Sequence, residues 1–322
     1  MNEKLISIAM CSYNGEKYIK EQLDSIVNQT YKNIEIIITD DCSKDDTVKI
    51  IKEYQKNDNR IKLYQNEKNL GFLKNFEYTI SLCSGDYIAL ADQDDVWKKE
   101  KLETFVENIK DNVLIYSDAI IIDKDSNEVG AEFIRPGNYL CDGSCNKLFF
   151  LINVVSGNTL MFKRELIQYI LPIPKDITYH DSWIAFVAST YGTITYTTEA
   201  MTYYRRYSEQ VTHAVKKVHK NFFQKLKHKK ELKIQNALMR EKELKALRTL
   251  SILKDEETIK LLDALIYHYE NYSNIYFNVD LYKELKKHSS EIFASIKPKK
   301  HKKLILRNAS GLKIRTSTMF LL

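Results

Sequence analysis

Short apolar runs alternate with amphipathic stretches along the first third of the chain. Residues 5–10 are apolar and lead into a polar turn, and 18–28 carry a helical pattern. A β-branched run at 34–39 stops at the polar loop 40–46, before a helix predicted from about Thr47. Residues 61–64 read as a further strand, 69–71 turn into a helix over about 72–82, and 87–91 form a strand ending in the acidic 92–95. Strands separated by helices imply right-handed crossovers and a mainly parallel sheet covered on both faces. Ligands of such sheets sit beyond the carboxyl ends of the strands. The polar clusters 12–16, 40–46 and 92–95 each follow a predicted strand, so three loops should meet on one edge.

The pattern is mixed over about 113–213. Residues 113–116, 120–122, 159–162, 193–197 and 201–204 read as strands, with a turn at 123–127 and a helix over 181–191. From about Val215 Lys, Leu and Glu dominate, and neither Gly nor Pro occurs until Pro298. Ile259, Leu262, Leu265, Ile266 and Tyr269 fall on one helical face. Two or three packed helices are predicted over 215–290, with a basic, loosely structured tail after Lys297. The expected organisation is an α/β unit over 1–213, divided near residue 120, followed by a helical region over 214–322.

Composition narrows the class. A chain of 322 residues with 44% hydrophobic content is ample for a buried core. Its 49 basic and 43 acidic residues give a net charge of +6, which suits anionic partners such as phosphates or a lipid headgroup layer. No basic recognition motif points to nucleic acid. The five cysteines lack a ladder spacing and are expected to be reduced thiols. No apolar run approaches the ~20 residues needed to span a bilayer. The opening Met-Asn-Glu-Lys-Leu-Ile lacks a signal peptide's apolar core. The expected location is cytoplasmic, with the inner face of the plasma membrane as its membrane contact.

Asp92-Gln93-Asp94-Asp95 packs three carboxylates into four positions at a strand end. Their repulsion calls for a cation or strong donors, and a hard divalent metal binds one or two carboxylates together with phosphate oxygens and water. An acidic helix start is the plainer alternative. Residues 8–15 (IAMCSYNG), 38–47 (ITDDCSKDDT), 69–72 (NLGF) and 87–97 (YIALADQDDVW) resemble, in order and separation, the signature blocks of family-2 glycosyltransferases of the A-type fold. The Asp-Gln-Asp-Asp-Val-Trp form, with His180-Asp181-Ser182-Trp183 and Tyr204-Arg205 further on, is similar to the rhamnosyltransferase-like branch. That branch often carries histidine where Tyr207 stands.

The resemblance implies a donor half over about 1–120, an acceptor half over about 121–213, and Mn²⁺ or Mg²⁺ as cofactor. It implies a UDP- or dTDP-linked sugar, rhamnose being the branch's hint, and inversion onto a saccharide acceptor in bacterial surface polysaccharide synthesis; the absent Gln-x-x-Arg-Trp pattern of processive members favours single addition. It places the donor against Ser12, Tyr13, Asn14, Glu16, Asp41 and Gln93, where Tyr13 offers an aromatic face and Asp41 offers acceptors for an imide N–H. Asp92 and Asp94 match the family's metal and ribose carboxylates. Gly71 either lets the backbone pass close to the diphosphate or turns tightly, and Lys74 either reaches the donor or stays solvated. Arg205 matches a phosphate-neutralising position.

Asp181 stands where the family's base stands and is also placed to cap a helix. His180 contacts the diphosphate or metal, or is a loop histidine; Trp97 and Trp183 line the sugar pocket or a core edge; Gly157 and Asn158 belong to the acceptor floor. Beyond this, Lys216, Lys217, Lys220, Lys225, Lys227, Lys229 and Lys230 flank Phe222, Phe223 and Leu226. Such a basic, aromatic helix suits an anionic bilayer bearing a lipid-linked acceptor, packing onto the catalytic unit, or a homodimer through the C-terminal helices. The competing function is a non-catalytic nucleotide-sugar-binding protein. A dehydrogenase is disfavoured because no Gly-x-Gly-x-x-Gly turn follows the first strand.

Overall fold

The computed structural model describes residues 3–132, 140–207 and 222–312. The first third runs β1 (Ile6–Ser12), α1 (Ile19–Val27), β2 (Ile34–Asp40), α2 (Thr47–Asn57), β3 (Ile61–Gln65), α3 (Phe72–Ser81) and β4 (Tyr87–Asp92). Then come β5 (Val96–Trp97), α4 (Lys101–Ile109), β6 (Leu114–Ile122), β7 (Glu128–Glu132) and α5 (Asn146–Phe149). They are followed by β8 (Leu160–Lys163), α6 (Ile167–Ile170), α7 (His180–Tyr191) and β9 (Ile194–Arg205). Among the described residues these strands form one sheet in the order β3-β2-β1-β4-β8-β6-β9-β5, with β7 beside β6.

The sheet is mixed. The expected parallel pairing holds for β1 with β2 and β4, for β2 with β3, and for β6 with β9. β8 runs antiparallel to both β4 and β6, so the sheet reverses beside the acidic strand. The side-chain period of two sorts the core into two faces. Ile6, Ile8, Met10, Ile34, Ile36 and Ile38 pack with Leu23 of α1, Ile51 of α2 and Phe105 of α4. Ala9, Ile37, Ile88 and Leu90 point the other way, to Phe76 of α3 and Phe186 of α7. Both faces being covered explains why β1 and β2 read as continuous apolar runs.

Several boundaries differ from expectation. Residues 113–116 and 120–122 belong to one strand, β6, whose register slips between Ser117 and Ala119. Residues 193–197 and 201–204 likewise join as β9. α4 is not among the predicted elements, although Leu102, Phe105 and Ile109 bury one face at helical spacing. Cys141 and Cys145, expected as thiols, face each other with Cα atoms 6.1 Å apart, a spacing that a disulfide can bridge, while Cys11, Cys42 and Cys83 are free.

The C-terminal region comprises α8 (Phe222–Arg248), α9 (Glu256–Glu270), α10 (Val279–Lys287), α11 (Ser289–Ile292) and α12 (Pro298–Ala309). α9 buries Leu261, Leu262, Leu265 and His268, close to the predicted face. Its N-cap Asp255 accepts from the Thr258 amide, and Asn278 caps α10 through the Leu281 amide, contacts worth ~1 kcal/mol each. The tail expected to be loose forms α12, with Pro298 in its first turn and Ile305 and Ala309 buried. Leu244, Leu247, Leu261, Leu281 and Phe293 share one apolar cluster with Phe76 and Phe186, so these helices extend the sheet's own core. Of the basic and aromatic patch, Lys216, Lys217 and Lys220 lie outside the described residues, and Lys229 and Lys230 are exposed on α8. No helix of the described residues is long and apolar enough to cross a membrane.

Candidate active site

β1, β2 and β4 end side by side: Ser12 is in register with Asp40, and Cys11 with Asp92. The loops that follow take left-handed backbone at Asn14 (φ 47°) and Cys42 (φ 68°). They are laced together. Ser12 Oγ donates to Asp40 (2.9 Å), the Asn14 amide to Ser43 Oγ (2.9 Å), and the Lys44 amide to Asn14 Oδ1 (2.8 Å). The Asp46 amide, at the start of α2, donates to Glu16 (2.8 Å). Asn14 and Glu16, expected at the donor, thus tie the first loop to the second. Asp40, which also accepts from Ser43, is a hub that the sequence reading did not single out.

Gln93 clasps the main chain of Tyr13 both ways, accepting its N–H at 2.8 Å and donating to its carbonyl at 3.0 Å. The Tyr13 residue stays 49% exposed and available for stacking. Asp41 is buried and accepts from the amides of Leu70 (2.7 Å) and Gly71 (2.9 Å) and from Asn66 Nδ2 (2.8 Å). Three of its roughly four acceptor positions are therefore taken in anchoring the loop before α3. Gly71 adopts φ +79°, a left-handed conformation that favours glycine, with nothing within 4 Å of where a Cβ would stand. Lys74 is paired with Glu77 at 2.8 Å. A hollow of about 540 Å³ beside it is lined by Leu70, Lys74, Glu77, Tyr78 and Pro172, and by none of the clustered carboxylates.

The acidic string divides by burial. Asp92 and Asp94 are half-buried at the rim, whereas Asp95 is fully buried beneath them. Burial, reinforced by Asp94 and Asp181 and opposed by Lys101, pushes the Asp92 carboxyl up to about 7. Its response to Asp181 places the candidate base in the same electrostatic neighbourhood. Among the described residues no ion pair joins Asp92 or Asp181 to a lysine or arginine. Tyr207 donates its hydroxyl to Asp94 at 2.8 Å and packs on Tyr18.

Below the rim, Asp95 accepts from the Arg205 amide (2.9 Å) and from the Asn158 side chain. Burial holds its carboxyl well above the usual range. Lys101, missed from the sequence, is fully buried there. Its ammonium donates to the Asn158 carbonyl (2.6 Å) and Thr202 (3.1 Å) and lies 3.6 Å from the centre of the Trp97 ring. Burial drives its pKa well below that of an ordinary lysine. The available signal was its place three and four residues ahead of Thr104 and Phe105, on the inner face of an amphipathic stretch.

Asp181 occupies the first turn of α7. Its carboxylate accepts from the Ser182 amide (2.6 Å), Asn153 Nδ2 (3.0 Å) and the Gly157 amide (3.2 Å). Burial raises it to about 6 against those bonds. His180 beside it is buried and stacked on Phe76, with centroids 4.0 Å apart. Burial lowers its pKa to about 3, so it is neutral, and neither ring nitrogen has a hydrogen-bond partner. A Cβ at Gly157 would stand 2.8 Å from His180 Nε2, which explains glycine there. Phe72 and Tyr179, 45% and 50% exposed, lie 6.3 Å apart beside His180 and present an apolar face next to Asp181. They too were missed.

Three expectations are corrected. Trp97 and Trp183 are each 3% exposed and do not line a pocket. Trp97 packs between Lys101 and the core, and Trp183 donates to the Ile170 carbonyl at 2.8 Å. Arg205 is buried rather than facing a phosphate. Its guanidinium donates to Glu21 (2.5 Å), Ser126 (2.8 Å) and the Asp94 carbonyl (2.8 Å) and lies over Tyr18.

With three polar loops and a cluster of acids at one sheet edge, the architecture is the A-type glycosyltransferase fold. The chain matches the model of glycosyl transferase family 2 over residues 7–171, half of its length, and belongs to that family: it is a glycosyltransferase. An uncharacterized glycosyltransferase of Haemophilus influenzae is 31% identical over 221 residues, 66% of this chain and 68% of that protein. The Escherichia coli UDP-Glc:alpha-D-GlcNAc-diphosphoundecaprenol beta-1,3-glucosyltransferase WfgD is 36% identical over 138 residues, 42% of this chain and 53% of that protein. Among solved structures, Staphylococcus aureus TarS in complex with UDP-GlcNAc is similar with a TM-score of 0.60 at 16% identity, covering 95% of this chain and 89% of that one. The mannosyltransferase PcManGT from Pyrobaculum calidifontis, in complex with GDP-Man and Mn²⁺, has a TM-score of 0.53 at 16% identity, covering 98% and 79%.

Proposed function

We propose that the protein is an inverting, metal-dependent, single-addition glycosyltransferase that moves a sugar from a UDP- or dTDP-linked donor to a saccharide acceptor in bacterial surface polysaccharide synthesis. The observation carrying this is the convergence of Asp92, Asp94 and Asp181 at one edge, with Asp92 raised to about 7 by burial and its acidic neighbours. Such crowding suits a hard cation, and the donor set, carboxylates with room for phosphate and water oxygens, fits Mn²⁺ or Mg²⁺. Bound there, the metal offsets negative charge on the leaving diphosphate. WfgD's name carries a UDP-glucose donor, and PcManGT was solved with Mn²⁺, which supports the reading.

The chain's own residues supply the rest. Tyr13 stacks against the base, held open by Gln93. Asp94 is oriented by the Tyr207 hydroxyl. Phe72 and Tyr179 offer an aromatic face to the acceptor ring. Asp181 takes the proton of the attacking hydroxyl. Two amides and Asn153 fix its direction, and its raised pKa makes it a stronger base than an exposed aspartate. The rhamnosyltransferase-like segments make dTDP-rhamnose one donor to test and UDP-hexoses the others. Transfer and donor hydrolysis are measured across these donors with Mn²⁺, Mg²⁺ or chelator. Turnover dependent on metal is expected; donor binding without turnover for any acceptor or water would leave a binding protein instead.

A further inference from the structure

We propose a second divalent-cation site, remote from the acidic rim in sequence and built by Glu257, Glu284 and His288, that staples α9 to α10. Each residue offers one ligand atom, and the three atoms lie within 4.8 Å of one another. Glu284 and His288 are four residues apart at the end of α10, hence on one helical face. Glu257 comes from the first turn of α9.

The second observation is what the buried groups lack. Glu284 Oε2 and His288 Nε2 are both buried with no hydrogen-bond partner, and His288 is 92% buried. Leaving a buried polar atom without a partner is costly, and here two such atoms face a second carboxylate, that of Glu257. His288 Nε2 is 3.6 Å from Glu257 Oε2. Its other nitrogen, Nδ1, lies 3.7 Å from Glu291 Oε2, beyond hydrogen-bond length but near enough for that carboxylate to orient the ring once a cation takes Nε2. Glu291 is in turn held by Lys147 of α5 at 2.9 Å, linking the site to the sheet's core. Lys260 occupies only Glu284 Oε1 (2.9 Å), leaving Oε2 for a cation; Lys287 pairs with Glu257 Oε2, so a cation here displaces that lysine or binds through Glu257 Oε1.

One imidazole and two carboxylates, with water as a fourth ligand, suit Zn²⁺. Ligand atoms around tetrahedral zinc are about 3.4 Å apart at ~2.1 Å bond lengths. The observed spread closes to that by small rotations of the two glutamates.

Zinc uptake by the full chain tests this, using protein stripped with chelator and carrying Asp94→Asn so that the catalytic rim does not dominate the signal. The expected result is one tight zinc and a higher thermal midpoint, with Glu291→Gln weakening uptake roughly 10–100-fold and His288→Gln abolishing both effects. Co²⁺ should give visible bands that His288→Gln removes. Should His288→Gln fail to fold, Glu257→Gln on the exposed side carries the same test. Zinc binding and midpoint unchanged by either substitution, or no zinc bound by the Asp94→Asn chain, would overturn the site.

Discussion

Asp94 and Asp95 are neighbours in sequence, yet they belong to different tiers. The rim tier, Asp92, Asp94 and Asp181, is half-buried and crowded with negative charge. The lower tier, Asp95 with Asn158, Lys101, Thr202 and Arg205, is buried and closed by hydrogen bonds within the chain. The difference teaches that acidity alone does not mark function. What distinguishes the rim is partial exposure: Asp92, Asp94 and Asp181 still reach solvent, whereas the lower tier is closed off by hydrogen bonds within the chain.

Substitutions should separate the tiers. Asp181→Asn is expected to lower kcat by about 10²–10⁴-fold with a small drop in thermal midpoint from the one acceptor oxygen lost, read by steady-state transfer and thermal denaturation. Transfer within a few-fold of wild type would detach the base from Asp181. Asp95→Ala should act the other way, costing about 3 kcal/mol of stability in urea titration because the Asn158 side chain and the Arg205 amide lose their acceptor. Equal stability would mean that the lower tier does not carry the loop.

Acid dependence sharpens the same contrast. With Asp181 raised to about 6, its active carboxylate form is lost as pH falls through that value, so kcat/KM should drop towards tenfold per pH unit below it and level off above about 7. A profile flat down to pH 5 would contradict the assignment. The smallest effect is expected from Trp183→Phe. Loss of its bond to Ile170 and some packing should cost about 1–2 kcal/mol, with the acceptor KM unmoved. A changed KM would return Trp183 to the sugar pocket.

Legibility of the fold follows the regularity of burial. β1, β2 and β4 were readable because both faces of the sheet are covered there and each is an apolar run bounded by a polar loop, while β3 at the edge shows an alternating pattern. β6 and β9 were broken in two because Ser117-Asp118 and Glu199 interrupt the apolar pattern at a register slip and an exposed stretch, beyond which the same two strands pair again. α12 was hidden by its lysines, since only Ile305 and Ala309 reach the core. In the candidate site, residue types and order pointed to the edge where the ends of β1, β2 and β4 lie side by side. They did not reveal direction: Arg205 turns inward to Glu21, Trp97 packs under Lys101, and Asp41 is taken up by the amides of Leu70 and Gly71. The turns of Arg205 and Asp41 depend on partners 29 to 184 residues away, which local spacing does not encode.

The most direct test of the rim's role is isothermal titration of UDP- and dTDP-linked sugars into folded protein with Mn²⁺, with Mg²⁺ and with chelator. The account predicts that at least one of these compounds binds tenfold or more tightly with metal, and that Asp94→Asn removes the gain. Affinity identical with and without both metals, for every compound that binds, would contradict it.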